Sequence, residues 1–193
     1  VTFYTEDRLK NWVERINEQK IDFESAESFD VFDKMIEDFV VACMNLLRSI
    51  KEREITKKEA LTEIEKVAKI LEGEYEFDDQ FKGDFFQFSK ESMRTILEST
   101  KTYIQGKFSK KDFESLLNEA IKKEKEGDLD SAFEIISKMG AKVLKGEMLP
   151  ELNLPDDELL ILNWFDGVDA INTVMVLKEI DASEEIEEEM DDE

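Results

Sequence analysis

Apolar residues recur along almost the whole chain at the i, i+3, i+4, i+7 spacing that gives a helix one buried face. Leu9, Trp12, Val13 and Ile16 follow this spacing after Thr5, a residue suited to cap a helix over 6–19. A second helix is expected from just after Ser28 to about residue 51, through Phe32, Met35, Phe39, Val40, Cys43, Leu46 and Ile50. Val41, Ala42 and Met44 widen its apolar face nearly all round, so it is expected to be a central, heavily covered helix. Thr56-Lys57-Lys58-Glu59 has the form of a capping box, in which the Thr and Glu side chains satisfy each other's backbone N–H groups. It opens a helix through Ala60, Ile64, Val67 and Leu71 that stops at Gly73.

A fourth helical region is expected over 77–105, with Gly83 able to break its first turns and Gly106 as its stop. Ser109 and Asp112 start a fifth that ends at Gly127, and Asp128 caps a sixth running to about residue 145. Pro155 suits the first turn of a last helix, where its missing N–H costs nothing, with Asp156, Asp157 and Glu158 complementing the dipole. That helix is expected to kink at Gly167 and end near 179. Only 2–5, 74–77 and 149–154 offer anything extended. The pattern predicts an all-α fold: one compact domain of six or seven helices over 1–180, followed by a disordered acidic tail over 181–193.

Charge adds a second layer. The 193 residues hold 49 acids against 26 bases, for a net charge of −23. The stretch 107–145 is close to neutral, whereas 181–193 has nine acids and no base, a block that repels itself and has little to bury. The acidity argues against direct binding to nucleic-acid backbone and against an anionic membrane surface. It favours a basic protein, or the basic surface of a larger assembly, as partner. The run 159–177 is the nearest thing to a membrane span, but Asn163, Asp166, Asp169, Asn172 and Thr173 interrupt it. There is no His, and Cys43 is the only Cys. Imidazole-dependent nucleophile systems and Cys/His zinc sites are thereby excluded within the chain, as are intrachain disulfides, and a cytoplasmic location follows.

The remaining candidate chemistry is carboxylate chemistry. Asp30 with Asp33, and Asp166 with Asp169, each place two carboxylates three residues apart on one helix face. Paired carboxylates from two helices can hold Mg²⁺, as in the all-α nucleotide pyrophosphohydrolases. A clean Glu-x-x-Glu followed by Glu-x-x-Asp on neighbouring helices, as in those enzymes, is lacking, and a solvated face explains Asp166 and Asp169 without a metal. Asp78, Asp79 and Asp84 fail the register of a calcium loop, because Gln80, Lys82 and Ser89 fall at ligand positions. Leu116, Ala120, Gly127, Asp128 and Ala132 resemble one tetratricopeptide hairpin, but Lys123 departs from it and no second unit follows. An ordinary helical hairpin is the reading there. Phe77, Phe81, Phe85, Phe86 and Phe88 form an aromatic stripe that is expected to be core, with a partner groove or oligomer interface as the alternative, and Phe86, which fits the stripe least well, is the candidate for exposure. Cys43, in the most apolar helix, is expected to be a buried, inert thiol.

The string Phe3-Tyr4-Thr5-Glu6-Asp7-Arg8-Leu9 with Trp12, and the string Trp164-Phe165-Asp166-Gly167-Val168-Asp169-Ala170, resemble an archaeal family, domain of unknown function twenty-one-fifty. The resemblance implies an archaeal, cytoplasmic, soluble protein and assigns no role to any residue. The residues themselves point to a non-enzymatic interaction or regulatory protein without a cofactor, able to form homo-oligomers. The alternative is a Mg²⁺-dependent hydrolase of nucleotides or other phosphorylated metabolites. A third reading, mimicry of nucleic acid by surface carboxylates, differs from the first only in the partner's surface.

Overall fold

The computed structural model describes the backbone of residues 3–191 and the side chains of residues 3–179. Among these residues the fold is all-α, with seven α-helices and no strand: α1 (Glu6–Glu18), α2 (Asp30–Lys51), α3 (Lys57–Leu71), α4 (Gln80–Gln105), α5 (Phe113–Lys125), α6 (Leu129–Leu144) and α7 (Leu160–Asp191). One 3-10 turn, Ala26–Phe29, leads into α2. The acidic segment 181–193, expected to be disordered, lies outside the residues whose side chains are described.

The starts of most helices follow from side chains that accept otherwise orphaned backbone N–H groups. Thr5 accepts from the Arg8 N–H at 3.1 Å, Asp112 from Ser115 at 2.8 Å and Asp128 from Ser131 at 3.1 Å. Thr56 and Glu59 form the complete capping box. Asp79 accepts from Lys82 at 2.8 Å, so α4 starts at Gln80 and passes through Gly83 as helix. It ends at Gly106, whose φ of 69° is the left-handed conformation that glycine adopts without strain.

α7 starts differently from expectation. Pro155 and Asp156–Glu158 stay in the connection before it, and its first amides are capped by a carboxylate from α5. Glu124 Oε1 accepts from the Leu160 N–H at 2.6 Å and Oε2 from Ile161 at 3.0 Å. A tertiary anion at a helix N-terminus satisfies both the free donors and the dipole, and spacing along the sequence does not reveal it.

α2 packs against α1, α3, α4 and α7, the central, covered place its broad apolar face predicts, and α4 is a second central helix, packed against α2, α3, α6 and α7. The buried surface of α4 includes Ser89, Ser92, Thr95, Ser99, Thr100 and Thr102 alongside Met93, Ile96, Leu97 and Ile104. Hydroxyls of this size are tolerated inside because five of them, those of Ser89, Ser92, Thr95, Ser99 and Thr100, donate to the carbonyl four residues earlier. Ser99 reaches Thr95 O at 2.7 Å and Thr100 reaches Ile96 O at 2.8 Å. Ser92 also donates across the helix interface to Asn163 O at 2.9 Å. Facing this surface are two glycines. A Cβ at Gly140 of α6 would overlap Ser99, and one at Gly167 of α7 would lie 2.5 Å from Ser92 O and 3.1 Å from Thr95 Cβ. Gly167 therefore permits close contact, and α7 continues through it as one helix instead of ending or restarting there.

Phe86 is also corrected: it is buried among Tyr75 and Phe77, and the exposed member of the stripe is Phe88, at 52%. Outside the core, α1 is held on α2 by Asp38. Arg8 donates to both of its oxygens at 2.6 and 2.9 Å, and the Trp12 indole N–H donates at 2.9 Å. Burial alone would raise the Asp38 carboxyl, but the Arg8 and Trp12 hydrogen bonds outweigh it and hold the group below its ordinary value.

By length and composition, the Leu160–Glu179 part of α7 is apolar enough to cross a membrane, despite the polar interruptions. Its apolar side is already used, however. Ile161, Trp164, Phe165, Val168, Ile171 and Val174 are buried, and the helix packs on α4 and α6. This stretch therefore has one buried face, against α4 and α6, and an exposed opposite side that includes Leu160 and Leu177.

Gly167→Ala is expected to lose about 1–3 kcal/mol of stability by overpacking, measured by chemical denaturation. At an unconstrained helix position the same change would gain up to about 1 kcal/mol from propensity. A stabilised variant would show that α4 and α7 are not in close contact.

Candidate functional site

Three helix faces enclose a cleft of about 530 Å³ between the start of α2, the middle of α4 and the centre of α7. Each wall is a helical stripe. Phe29, Asp33, Ile36 and Glu37 come from the turn into α2, Phe85, Phe88, Ser89 and Ser92 from α4, and Asp166, Asp169, Ala170 and Thr173 from α7. Phe32 closes the floor. The aromatic wall is continuous. The Phe85 centroid lies 5.3 Å from those of both Phe29 and Phe32 and 6.3 Å from that of Phe88. It extends through Phe81, at 4.9 Å from Phe85, to Phe23, at 4.6 Å from Phe81 and 71% exposed.

The other wall is anionic. Asp33, Glu37, Asp166 and Asp169 line the cleft, no Lys or Arg does, and none of the four carboxylates forms an ion pair among the described residues. Asp166 is exposed, as are Asp33, Glu37 and Asp169, but the cleft walls beside it partly desolvate its carboxyl. That desolvation, reinforced by Asp169 and then Asp33, pushes its carboxyl up to about 6. Asp33 is also raised, by burial and by neighbouring Asp30.

The fold therefore brings together three of the four carboxylates marked by spacing, Asp33, Asp166 and Asp169. Asp30 acts on Asp33 electrostatically but is outside the cleft lining. Among the described residues no group of three or more His, Cys, Asp or Glu side chains is gathered as a metal ion would require. Glu37 and the Phe29–Phe32 wall were not marked in the sequence, although Glu37 lies one turn after Asp33 on the same face. Asp78 and Asp79, rejected as calcium ligands, serve the start of α4. Asp78 pairs with Lys82 at 2.9 Å, and Asp79 is the cap. Cys43 is buried and its thiol is pushed up to about 12 by burial, which keeps it protonated.

A recess that combines aromatic rings with uncompensated carboxylates has the chemistry suited to an organic cation. The carboxylates supply charge and the rings supply cation–π contact. The family model described as an uncharacterized protein conserved in archaea (DUF2150) matches residues 2–185, and the chain belongs to that family. No curated protein and no solved structure matches it.

The raised Asp166 carboxyl has a definite sign in stability. Between the unfolded value of about 3.9 and the folded value of about 6, the native state holds more protons than the unfolded chain, so this group lowers stability as pH rises through that window. Asp166→Asn is expected to raise the melting temperature more at pH 7.5 than at pH 4.5. An equal or opposite change at the two pH values would contradict the crowding of carboxylates in the cleft.

Proposed function

We propose that this archaeal family member is a non-catalytic binding protein whose cleft receives a basic group, the Lys or Arg side chain of a macromolecular partner. The observation that carries this reading is the cleft itself: four carboxylates facing an aromatic wall with no cation lining it. The net charge of −23 would steer a basic partner toward the protein. Phe23 and Phe88, exposed at the ends of the ring array, offer apolar contact around the bound group. The same charge would repel nucleic-acid backbone and anionic membranes. On this reading the protein acts in the cytoplasm without a resident cofactor, and the rim aromatics are also available to a second copy of the chain.

A Mg²⁺-dependent hydrolase is the second reading, favoured by one observation: carboxylates from two helices, Asp33 of α2 and Asp166 and Asp169 of α7, share the cleft. The two readings differ in what stabilises the site. Mg²⁺ bound there would stabilise the fold by mass action, by about 2.7 kcal/mol at a hundredfold excess over its dissociation constant. That stabilisation would vanish in a double Asp166→Asn/Asp169→Asn variant.

The test is titration of the full chain with a fluorescent Lys/Arg-rich peptide and a Gln-substituted counterpart, at low and moderate salt. The basic peptide is expected to bind in a salt-sensitive way and the counterpart not. The double Asn variant should bind at least about tenfold more weakly, equivalent to about 1.4 kcal/mol. Peptide binding unchanged in that variant would refute the cleft as the site. A saturable Mg²⁺-induced melting shift together with nucleotide hydrolysis, both lost in the variant, would replace the reading with the hydrolase.

A further inference from the structure

The opposite end of α2 has the reverse chemistry. A groove of about 670 Å³ lies where α2, α4 and α6 end and α7 passes by. Its floor is apolar, from Met44, Leu47, Ile50, Ile104, Leu144 and Met175. Around it stand Arg48 and Lys51 of α2, Lys57 at the start of α3, Lys145 after α6 and Lys178 of α7. No acidic residue lines it, although acids outnumber bases 49 to 26 in the chain.

These five cations stand apart in being gathered around one apolar groove. Of the 26 Lys and Arg residues, eleven, Lys66, Lys82 and Lys142 among them, pair with a carboxylate among the described residues. None of the five around the groove makes an ion pair among the described residues. Lys145 instead lies over the Phe108 ring, 4.6 Å from its centroid, and that ring meets Tyr103 edge-on at 5.5 Å. The helix ends explain part of the arrangement, since cations complement C-terminal dipoles of roughly half an elementary charge each. Three such ends leave the five full charges in excess. Dipole compensation also gives no reason for the half-buried apolar floor that the cations surround.

We infer that this groove is a second binding site, independent of the acidic cleft, for a small anionic amphiphile: an apolar chain or ring system ended by a carboxylate or phosphate. The floor takes the apolar part by burial, and the Arg and Lys side chains take the head by charge-assisted hydrogen bonds. The volume is that of ordinary small-molecule sites. Arg48 offers a planar fork for two oxygens, and the Lys side chains can follow heads of different shape.

Two of the floor residues are methionines, and no methionine lines the acidic cleft. The full chain with ¹³C-methyl methionine therefore separates the two sites. The probes are decanoate, decyl phosphate, decanol and decylammonium, each below its micelle threshold. Decanoate and decyl phosphate are expected to shift the Met44 and Met175 methyl signals saturably at one equivalent. A Lys51→Glu/Lys145→Glu variant, altered only at exposed positions, should weaken that binding at least tenfold while keeping its helicity. Lys69→Glu on α3 and Asp166→Asn in the acidic cleft should leave it within twofold. The inference is overturned if decanol or decylammonium shifts these methyls as strongly as decanoate, or if the double variant binds decanoate normally. It is equally overturned if the methyls move with protein concentration alone, which would mean that a second copy of the chain occupies the groove.

Discussion

The close approach of α4 to α6 and α7 is the contact on which the other features rest. It is made by residues that are too small to hold helices apart. Ser92 and Thr95 meet Gly167, and Ser99 meets Gly140, with each hydroxyl satisfied by a carbonyl of its own helix. Burying hydroxyls in this way is tolerated only while those bonds are kept. The benefit is geometric. With α7 drawn against α4 at Gly167, the neighbouring Asp166 is carried into the recess beside Phe85 and Phe88, and Asp169 follows three residues later. Both carboxylates are exposed, and a wider α4–α7 spacing would remove the partial desolvation that raises Asp166.

The parts of this fold that were legible in the sequence are those with local causes. Thr5, Thr56, Asp112 and Asp128 cap the helices they were expected to cap, because capping depends on residues within one turn. The all-α class follows from the period of the apolar residues. The equally central place of α4 does not. Ser and Thr, counted as polar, line its buried side. Phe86 and Phe88 were exchanged for the same reason: the burial of α4 extends round to Phe86, which packs on Tyr75 and Phe77. The start of α7 was misplaced at Pro155 because its cap, Glu124, comes from a different helix.

The site was half legible. Three-residue spacing marked Asp33, Asp166 and Asp169, but not that α2 and α7 face the same recess, and it marked Asp30 as well, which lies outside the lining. The aromatic wall was seen only on the α4 side. The two strings that carry the family resemblance divide by role. In the first, Arg8 and Trp12 grip Asp38 and Tyr4 packs on Phe39, which docks α1. In the second, Trp164 donates to Glu91 at 2.8 Å and Gly167 sets the helix spacing, while Asp166 and Asp169 enter the cleft. Charge is likewise divided along α2, with an acidic aromatic recess at its start and a basic apolar groove at its end, an asymmetry that the net charge conceals.

The most direct test of the account is a carboxyl-carbon NMR titration of Asp166 with and without n-butylammonium. If the cleft is a cation site, Asp166 titrates near 6 in the free protein, and a bound cation lowers its midpoint, because an opposite charge within a few ångströms favours the carboxylate. The shift should saturate with amine and be absent with n-butanol. A midpoint at the ordinary carboxylate value in the free protein, or one that the amine leaves unmoved, would contradict the account.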